Sequence, residues 1–356
     1  MDQIETKEIH NTVFMPIKKE KKSEFLYESK HKVLYPLTFT NRDKYIFTWK
    51  QNKIYKKLKS TVKLECFDLT HAHTLFTDGN VAYNIKKNFD IPYIVTVRGY
   101  TDIHNFFKKR VNLRNKGRKI LADASKIIFL SETNRKDLLK DYIKDDVLKE
   151  NIIRKSIILP NGIDDFWFEN CGHPKTLDDT TPIKCLYVGK IMKNKNVHGL
   201  IESIRIFNQK STRKATLLIV GEDYEPDYAQ YLKANAPNFV TFNAKVSRET
   251  LIDYYRNNDI FLMPSFHETF GLVYPEAMSQ GLPVVYAKNQ GFDGKFGEGE
   301  IGYAVKPKDP NDIADKISEI VNNYDAISKN ALSGFKKFNW NQISKKYVEL
   351  YKNFID

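Results

Sequence analysis

From Lys184 onward the chain alternates with a regular rhythm. Short apolar runs at Lys184–Val188, Thr216–Val220, Val240–Phe242, Asp259–Met263, Pro283–Tyr286 and Gly302–Val305 are separated by helical patterns at Val197–Asn208, Asp227–Ala234, Arg248–Asn257, Tyr274–Gln280 and Pro310–Asn322. Runs this short and this apolar read as strands buried on both faces. Their alternation with helices requires a parallel sheet covered on both sides. Such sheets bind ligands beyond the carboxyl ends of their strands. The richest stretch of this kind runs from Asp259 to Tyr286, DIFLMPSFHETFGLVYPEAMSQGLPVVY. Its apolar run stops at Pro264, and a polar loop follows with Glu268. Gly271 frees the backbone to turn or to approach a ligand. Pro275-Glu276-Ala277-Met278 then opens a helix, with proline where a missing N–H is tolerated.

Two glutamates therefore stand eight positions apart on the loop and helix start after one strand. A carboxylate accepts hydrogen bonds on both oxygens and suits vicinal hydroxyls, as on a ribose or a hexose. A helix start and the free amides around Gly271 suit a phosphate. The plainer reading is an exposed loop glutamate and a glutamate favoured by the helix dipole. A second set lies after the first strand of this half. Tyr187-Val188-Gly189-Lys190 ends the strand, and Lys195 precedes the next helix. Two cations on one such loop suit a pyrophosphate, although lysines are abundant enough here to be mere surface charge. The following strand ends Val220-Gly221-Glu222, where Gly221 allows close backbone approach. Gln290–Gly299 reads as a flexible connection rather than a phosphate cradle.

The first half is less regular. No glycine precedes Gly79. Strands are expected at Thr12–Pro16, Lys32–Leu37 and Tyr45–Thr48, a helix at Gln51–Lys59, and a solvated loop at Lys18–Lys22. Phe67–His73 reads as a strand ending in His71 and His73, which share one face. They are more simply structural or site-lining residues than zinc ligands, because no Cys, Asp or Glu completes a set. Ile91–Val97 is a further strand, ending in Arg98, which suits a phosphate or an ion pair with Asp102. Residues 104–120, HNFFKKRVNLRNKGRKI, form a basic helix whose phenylalanines either pack inside or lie at an anionic membrane surface. Ile127–Leu130 and Ser156–Leu159 complete the strands, with a helix between them at Asn134–Tyr142. Residues 1–165 hold 33 Lys+Arg against 21 Asp+Glu, a net charge of +12, whereas the remainder carries +1. That asymmetry suits an anionic surface such as phospholipid, a lipid-phosphate acceptor or nucleic acid, or is a solvated surface.

Taken in order, these motifs resemble those of retaining glycosyltransferases of family four. The E-x7-E pair is Glu268 and Glu276. The G-R-x4-K pattern stands here as Gly189-Lys190 with Lys195. The H-x-H is His71 and His73, and Pro160-Asn161-Gly162-Ile163-Asp164 closes the first domain. The resemblance runs from about Phe67 to Tyr351 and departs from the family before it, where the usual first strand and glycine-rich loop are absent. It also departs at Arg98, where many relatives have histidine. It implies an α/β GT-B fold of two Rossmann-like domains facing a cleft, with residues 1–165 on the acceptor side and 166–340 binding the nucleotide sugar. Residues 341–356 would cross back as a helix onto the first domain. The implied donor is a nucleotide-diphosphate sugar, and the implied reaction is hexosyl transfer with retention to a carbohydrate or lipid-linked carbohydrate. Glu268, Lys190 and Lys195 would carry the chemistry. Glu276, Gly189, Gly221, Phe270, Gly271, Leu272 and Arg98 would bind the donor.

No D-x-D occurs, so a metal-independent reaction without cofactor is expected. The missing opening motif keeps a non-catalytic nucleotide-sugar-binding or complex-partner protein as the alternative. Sugar epimerisation or phosphorolysis on the same fold also remains. Binding to nucleic acid is not expected, because no recognition-helix or base-stacking motif accompanies the positive charge. Three widely spaced cysteines, Cys66, Cys171 and Cys185, fit a reducing compartment. The charged start and the lack of a long apolar stretch fit a cytoplasmic protein, with peripheral work at the inner membrane face and in surface polysaccharide assembly.

Overall fold

The computed structural model describes Ile4, Thr6, residues 8–19 and residues 32–355. The chain divides into two compact units. Unit 1 comprises Met1–Leu130, Asn134–Leu159 and Asn341–Asp356, and unit 2 comprises Ser131–Thr133 and Pro160–Trp340.

Unit 1 opens with four short strands, β1 (Thr12–Phe14), β2 (Ile17–Lys18), β3 (Lys32–Leu34) and β4 (Leu37–Phe39). β1 pairs with β3 and β2 with β4, both parallel. Between these pairs, Met15 N–H donates to Leu34 O at 2.8 Å and Ile17 N–H to Pro36 O at 3.0 Å. The four strands are thus one two-stranded ribbon, interrupted where Pro16 and Pro36 bring no N–H. Helix α1 (Phe47–Thr61) follows, then β5 (Thr70–Ala72), α2 (Thr77–Phe89) and β6 (Tyr93–Val97). After a wide-turned helical stretch at Gly99–Lys108 come α3 (Arg114–Asp123), β7 (Lys126–Phe129), α4 (Glu132–Asp141), α5 (Asp146–Lys155) and β8 (Ser156–Ile158). Strands β5-β6-β7-β8 form one parallel sheet in sequence order. Val95, Val97, Ile127 and Phe129 of this sheet share a core with Phe76, Phe107 and Ile120. A second core joins α1 to α2 through Ile54, Leu58, Val81 and Ile85.

Several expectations for this half are corrected. The segment before Phe67 does supply strands, but they pair with one another rather than with the four-stranded sheet. Tyr45–Thr48 is no strand: α1 begins at Phe47, whose ring packs edge-on against Phe106 at 5.8 Å. Lys18 ends β2 and bonds Asn41 Oδ1 at 3.0 Å, while Glu20, Lys21 and Lys22 lie outside the described residues. Residues 104–120 are not one helix. Phe107 is fully buried and Phe106 stacks on Phe76 at 4.6 Å, so both rings serve the core.

Unit 2 holds α6 (Phe166–Glu169), β9 (Ile183–Val188), α7 (Val197–Lys210), β10 (Ala215–Gly221), α8 (Pro226–Ala234), β11 (Val240–Ala244) and α9 (Arg248–Arg256). They are followed by β12 (Ile260–Met263), α10 (Val273–Ser279), β13 (Val284–Ala287), β14 (Gly302–Val305), α11 (Pro310–Asn322) and α12 (Tyr324–Gly334). The six strands run parallel in the order β11-β10-β9-β12-β13-β14. Counted within the unit this is 3-2-1-4-5-6, the order of dinucleotide-binding sheets, whose direction reverses between the first and fourth strands. The crevice therefore falls between the ends of β9 and β12. The stretch from Pro160 is tied to unit 2, because Ile163 bridges Asn339 and donates to Phe338 O at 2.9 Å. Helix α13 (Trp340–Lys352) ends the chain, and from Asn341 on it belongs to unit 1. There the Tyr351 hydroxyl meets His71 Nδ1 at 2.5 Å.

Candidate functional site

The ends of β9 and β12 carry the residues singled out by the sequence. The loop from β9 to α7 is pinned to the loop after β12 by several bonds. Phe266 N–H donates to Asn194 O at 2.9 Å, and Asn194 Nδ2 to His267 O at 3.0 Å. Asn196, in the left-handed region at φ 57°, donates from Nδ2 to Pro264 O at 3.2 Å and Pro307 O at 2.5 Å. Asparagine tolerates that backbone better than most residues, and its amide ties the two loops together.

This pinning brings Lys195 to Glu268. Nζ lies 2.6 Å from Oε2, and both side chains are largely covered, at 19% and 13% exposure. Glu268 is held from other directions too, at its carboxylate and at its backbone. Thr269 N–H donates to Oε1 at 3.0 Å, and Gln290 Oε1 accepts the Glu268 N–H at 2.9 Å. The expected pyrophosphate cation and sugar-binding carboxylate are thus direct partners. Gln290 belongs to the segment expected to be a mere connection, and Lys295 of the same segment lies 4.7 Å from the Phe270 ring centroid. Burial pushes the Lys295 ammonium down to about 8.

The floor beside this pair is bare backbone. A Cβ on Gly221 would stand 1.8 Å from Gly189 O, so the ends of β9 and β10 touch peptide to peptide. Lys190 rises at the rim, its ammonium 3.7 Å from the Tyr224 ring centroid, and Tyr187 OH donates to Lys190 O at 2.8 Å. Gly271 adopts φ +82°, and a side chain there would strike the Tyr274 ring at 2.3 Å. Tyr274 in turn donates to Met263 O at 2.7 Å, fixing the turn to the end of β12. Phe270 is buried against Phe338 at 5.7 Å, while Leu272 stands exposed at the start of α10. Helix α10 begins at Val273, so Pro275 is its third residue and Glu276 remains in its first turn.

Glu276 does not touch the Lys195–Glu268 pair by any hydrogen bond described. It receives the Tyr255 hydroxyl at 3.5 Å. Burial pushes its carboxyl up to about 7; the Tyr255 hydrogen bond opposes the rise and the Asp164 charge adds to it. Three residues of this region carried no signal as single letters: Asn196, Tyr255 and Ser265. Ser265 Oγ is fully buried beyond the end of β12 and makes no hydrogen bond among the described residues.

Arg98 belongs to unit 1. Its guanidinium Nε donates to His73 O at 2.8 Å, and of the two alternatives for Arg98 the ion pair with Asp102 is not formed among the described residues. Asp102, fully buried, accepts instead the backbone N–H of Arg98 at 2.8 Å, of Leu75 at 3.0 Å and of Phe76 at 3.4 Å. Burial outweighs those donors and pushes its carboxyl up to about 7. The His71 and His73 rings lie 4.3 Å apart, as one strand face predicts. Both nitrogens of His71 are engaged, by Tyr351 and by Thr96 Oγ1 at 2.9 Å. Burial holds His71 well below its ordinary pKa, and burial with the Arg98 charge lowers His73 to about 4, so both rings are neutral.

In sum of chemistry, unit 2 offers two cations, two carboxylates and a backbone floor at a sheet crossover, which suits an anionic polyhydroxylated ligand. Comparison with known proteins points the same way. Residues 9–165 match the family described as Glycosyltransferase Family 4, and residues 172–333 match Glycosyl transferases group 1. The first match begins well ahead of Phe67, so the opening segment lies within the family pattern despite its missing glycine loop. An uncharacterized glycosyltransferase of Methanocaldococcus jannaschii is 27% identical over 83% of this chain and 79% of that one. Among solved structures, sucrose-phosphate synthase from Thermosynechococcus elongatus superposes with a TM-score of 0.75 at 22% identity, covering 97% of this chain and 88% of that one. Anabaena HepE in complex with UDP-glucose gives 0.67 at 17% identity, over 97% of this chain and 100% of that one. The fold is GT-B, with two Rossmann-like domains.

Proposed function

We propose that this chain, a GT-B glycosyltransferase of the family-four type, moves a hexosyl group from a nucleotide-diphosphate sugar to a carbohydrate or lipid-linked carbohydrate acceptor. The observation that carries this reading is the Lys195–Glu268 pair at the crossover of the 3-2-1-4-5-6 sheet. A donor laid there meets cations where a pyrophosphate would lie and a carboxylate where sugar hydroxyls would lie. HepE was solved with UDP-glucose, which favours a uridine nucleotide among the candidate donors.

In this mechanism the C1–O bond to the pyrophosphate breaks as an acceptor hydroxyl forms a new C1–O bond on the same face, with retention. The acceptor proton passes to the departing phosphate oxygen, the nearest base on that face. Lys190 and Lys195 take up the growing negative charge, with amides around Phe270-Gly271-Leu272, so no metal is needed. A well-placed donor of this kind is worth roughly 2.7–4 kcal/mol. As Lys195 turns to the phosphate, Glu268 is released to the sugar hydroxyls. Glu276 accepts the ribose hydroxyls. The basic surface of unit 1 fits an anionic acceptor, consistent with work at the inner membrane face in surface polysaccharide assembly.

Calorimetric titration with UDP- and GDP-sugars tests the reading, beside Glu276→Ala and with EDTA present. Binding that the variant loses supports it. A folded chain that binds no nucleotide sugar overturns it.

A further inference from the structure

Three strongly exposed apolar side chains of unit 1 are neighbours in the chain. Tyr45 is 90% exposed, Ile46 59% and Trp49 57%, all at the start of α1. The opposite face of α1 is well used: Gln51, Ile54 and Leu58 are buried. Trp49, Lys53 and Lys56 follow at i, i+4 and i+7, so they form one outward stripe. The helix holds five lysines and no carboxylate. Lys53 bonds Asp43 at 2.7 Å and lies 5.6 Å from the Trp49 ring, and Lys50 lies 4.2 Å from the Phe39 ring. Lys56, Lys57 and Lys59 are exposed.

Scattered apolar side chains on a surface need no explanation, but a cluster with a cationic rim does. Tyrosine and tryptophan, with an apolar ring and a polar tip, are the residues that settle at the boundary between lipid headgroups and chains. Lysines around them draw the face to anionic phosphates. The basic segment at 104–120 exposes Val111 but offers no aromatic wedge, because Phe107 is buried and Phe106 is stacked on Phe76.

We infer that the start of α1 is a membrane-docking element, which seats Tyr45, Ile46 and Trp49 in the headgroup boundary of an anionic bilayer while Lys50, Lys56, Lys57 and Lys59 face lipid phosphates. Charge selects this occupant over a second copy of the chain, since pairing two such faces would set lysines against lysines. The inference extends the membrane-side reading above and uses none of its transfer chemistry.

The test is co-sedimentation of the full chain with phosphatidylcholine vesicles, with and without about 30 mol% phosphatidylglycerol. Binding is expected only with the anionic lipid. Ile46→Ser with Trp49→Ser lowers the affinity at least about tenfold. Lys56→Gln and Lys57→Gln each lower it about fivefold. Brominated lipid quenches tryptophan emission in the native chain and not in Trp49→Phe, which retains Trp167 and Trp340. All four positions are exposed, and unchanged melting temperatures show that the variants fold. The inference is overturned by absent binding, equal binding to neutral vesicles or undiminished binding of the serine variant. It is also overturned by a concentration-dependent dimer that the serine variant abolishes. Donor titration of the serine variant should match the native chain. Lack of donor binding in both would sink the transfer reading and leave the vesicle result standing.

Discussion

Both units carry parallel sheets with polar side chains at the carboxyl ends of their strands, but they use them in opposite ways. In unit 1 the polar groups are consumed by the scaffold. Asp102 gathers three backbone N–H groups, and His71 spends both nitrogens on Thr96 and Tyr351. In unit 2 Lys195 and Glu268 bond each other at a partly open crossover, and Lys190 rests on an exposed tyrosine ring. An ion pair with one movable partner can exchange it for a ligand; a buried carboxylate with three fixed donors cannot. Topology alone therefore does not make a site. The ends of the strands become one where charges keep an alternative to each other.

The comparison yields four tests. The largest effect is expected from Glu268→Gln and Lys195→Ala, each lowering glycosyl transfer about 100- to 1000-fold in assays with labelled donor and acceptor extract. Turnover within a few-fold of native in either variant would erase the contrast between the units. Next comes Gly221→Ala, which forces apart the β9 and β10 ends where a Cβ would lie 1.8 Å from Gly189 O. It should destabilise the fold by about 2–3 kcal/mol in denaturant titration; an unchanged midpoint would show that the floor yields.

The third test is pH. With Glu276 pushed up to about 7, its carboxylate form is the minor one at pH 6. Donor affinity should then be about tenfold weaker at pH 6 than well above 7, and Glu276→Gln should be weak and flat across that range. A flat native profile would remove Glu276 from the ribose. The smallest effect concerns unit 1. Asp102, at about 7 when folded, has an unfolded value near 3.9. Between those values the folded state binds more protons, so this group's contribution to stability falls as pH rises. Asp102→Asn should flatten that slope by a fraction of the ~1.4 kcal/mol per pH unit that one proton allows. An unaltered slope would mean that another group sets it.

Unit 2 was the more legible half because its strands are continuous apolar runs punctuated by proline and glycine. Met263-Pro264 and Gly281-Leu282-Pro283 mark element ends in letters that have few other uses. Unit 1 hid its elements in tertiary context. Tyr45-Ile46-Phe47-Thr48 has strand propensity, yet Phe47 finds the Phe106 ring and the chain enters α1. Helices α5 and α12 were not expected at all. Within the site, Lys195 and Glu268 could be singled out as candidates in the sequence, but their mutual bond could not. It depends on Asn196 and Asn194 clasping two loops some 70 positions apart in the chain. The alternative of an Arg98–Asp102 ion pair gives way for a related reason: backbone donors occupy the carboxylate.

The contact between Gly189 and Gly221 has a further meaning for variation. A floor made of peptide alone offers no side chain to exchange, and any side chain added at Gly221 meets the Gly189 carbonyl. Under the proposed function, donor preference then rests on side chains beside that floor, Lys190 against the Tyr224 ring and Glu276 bonded by Tyr255. A library confined to those four positions would vary side chains while leaving the glycine contact untouched.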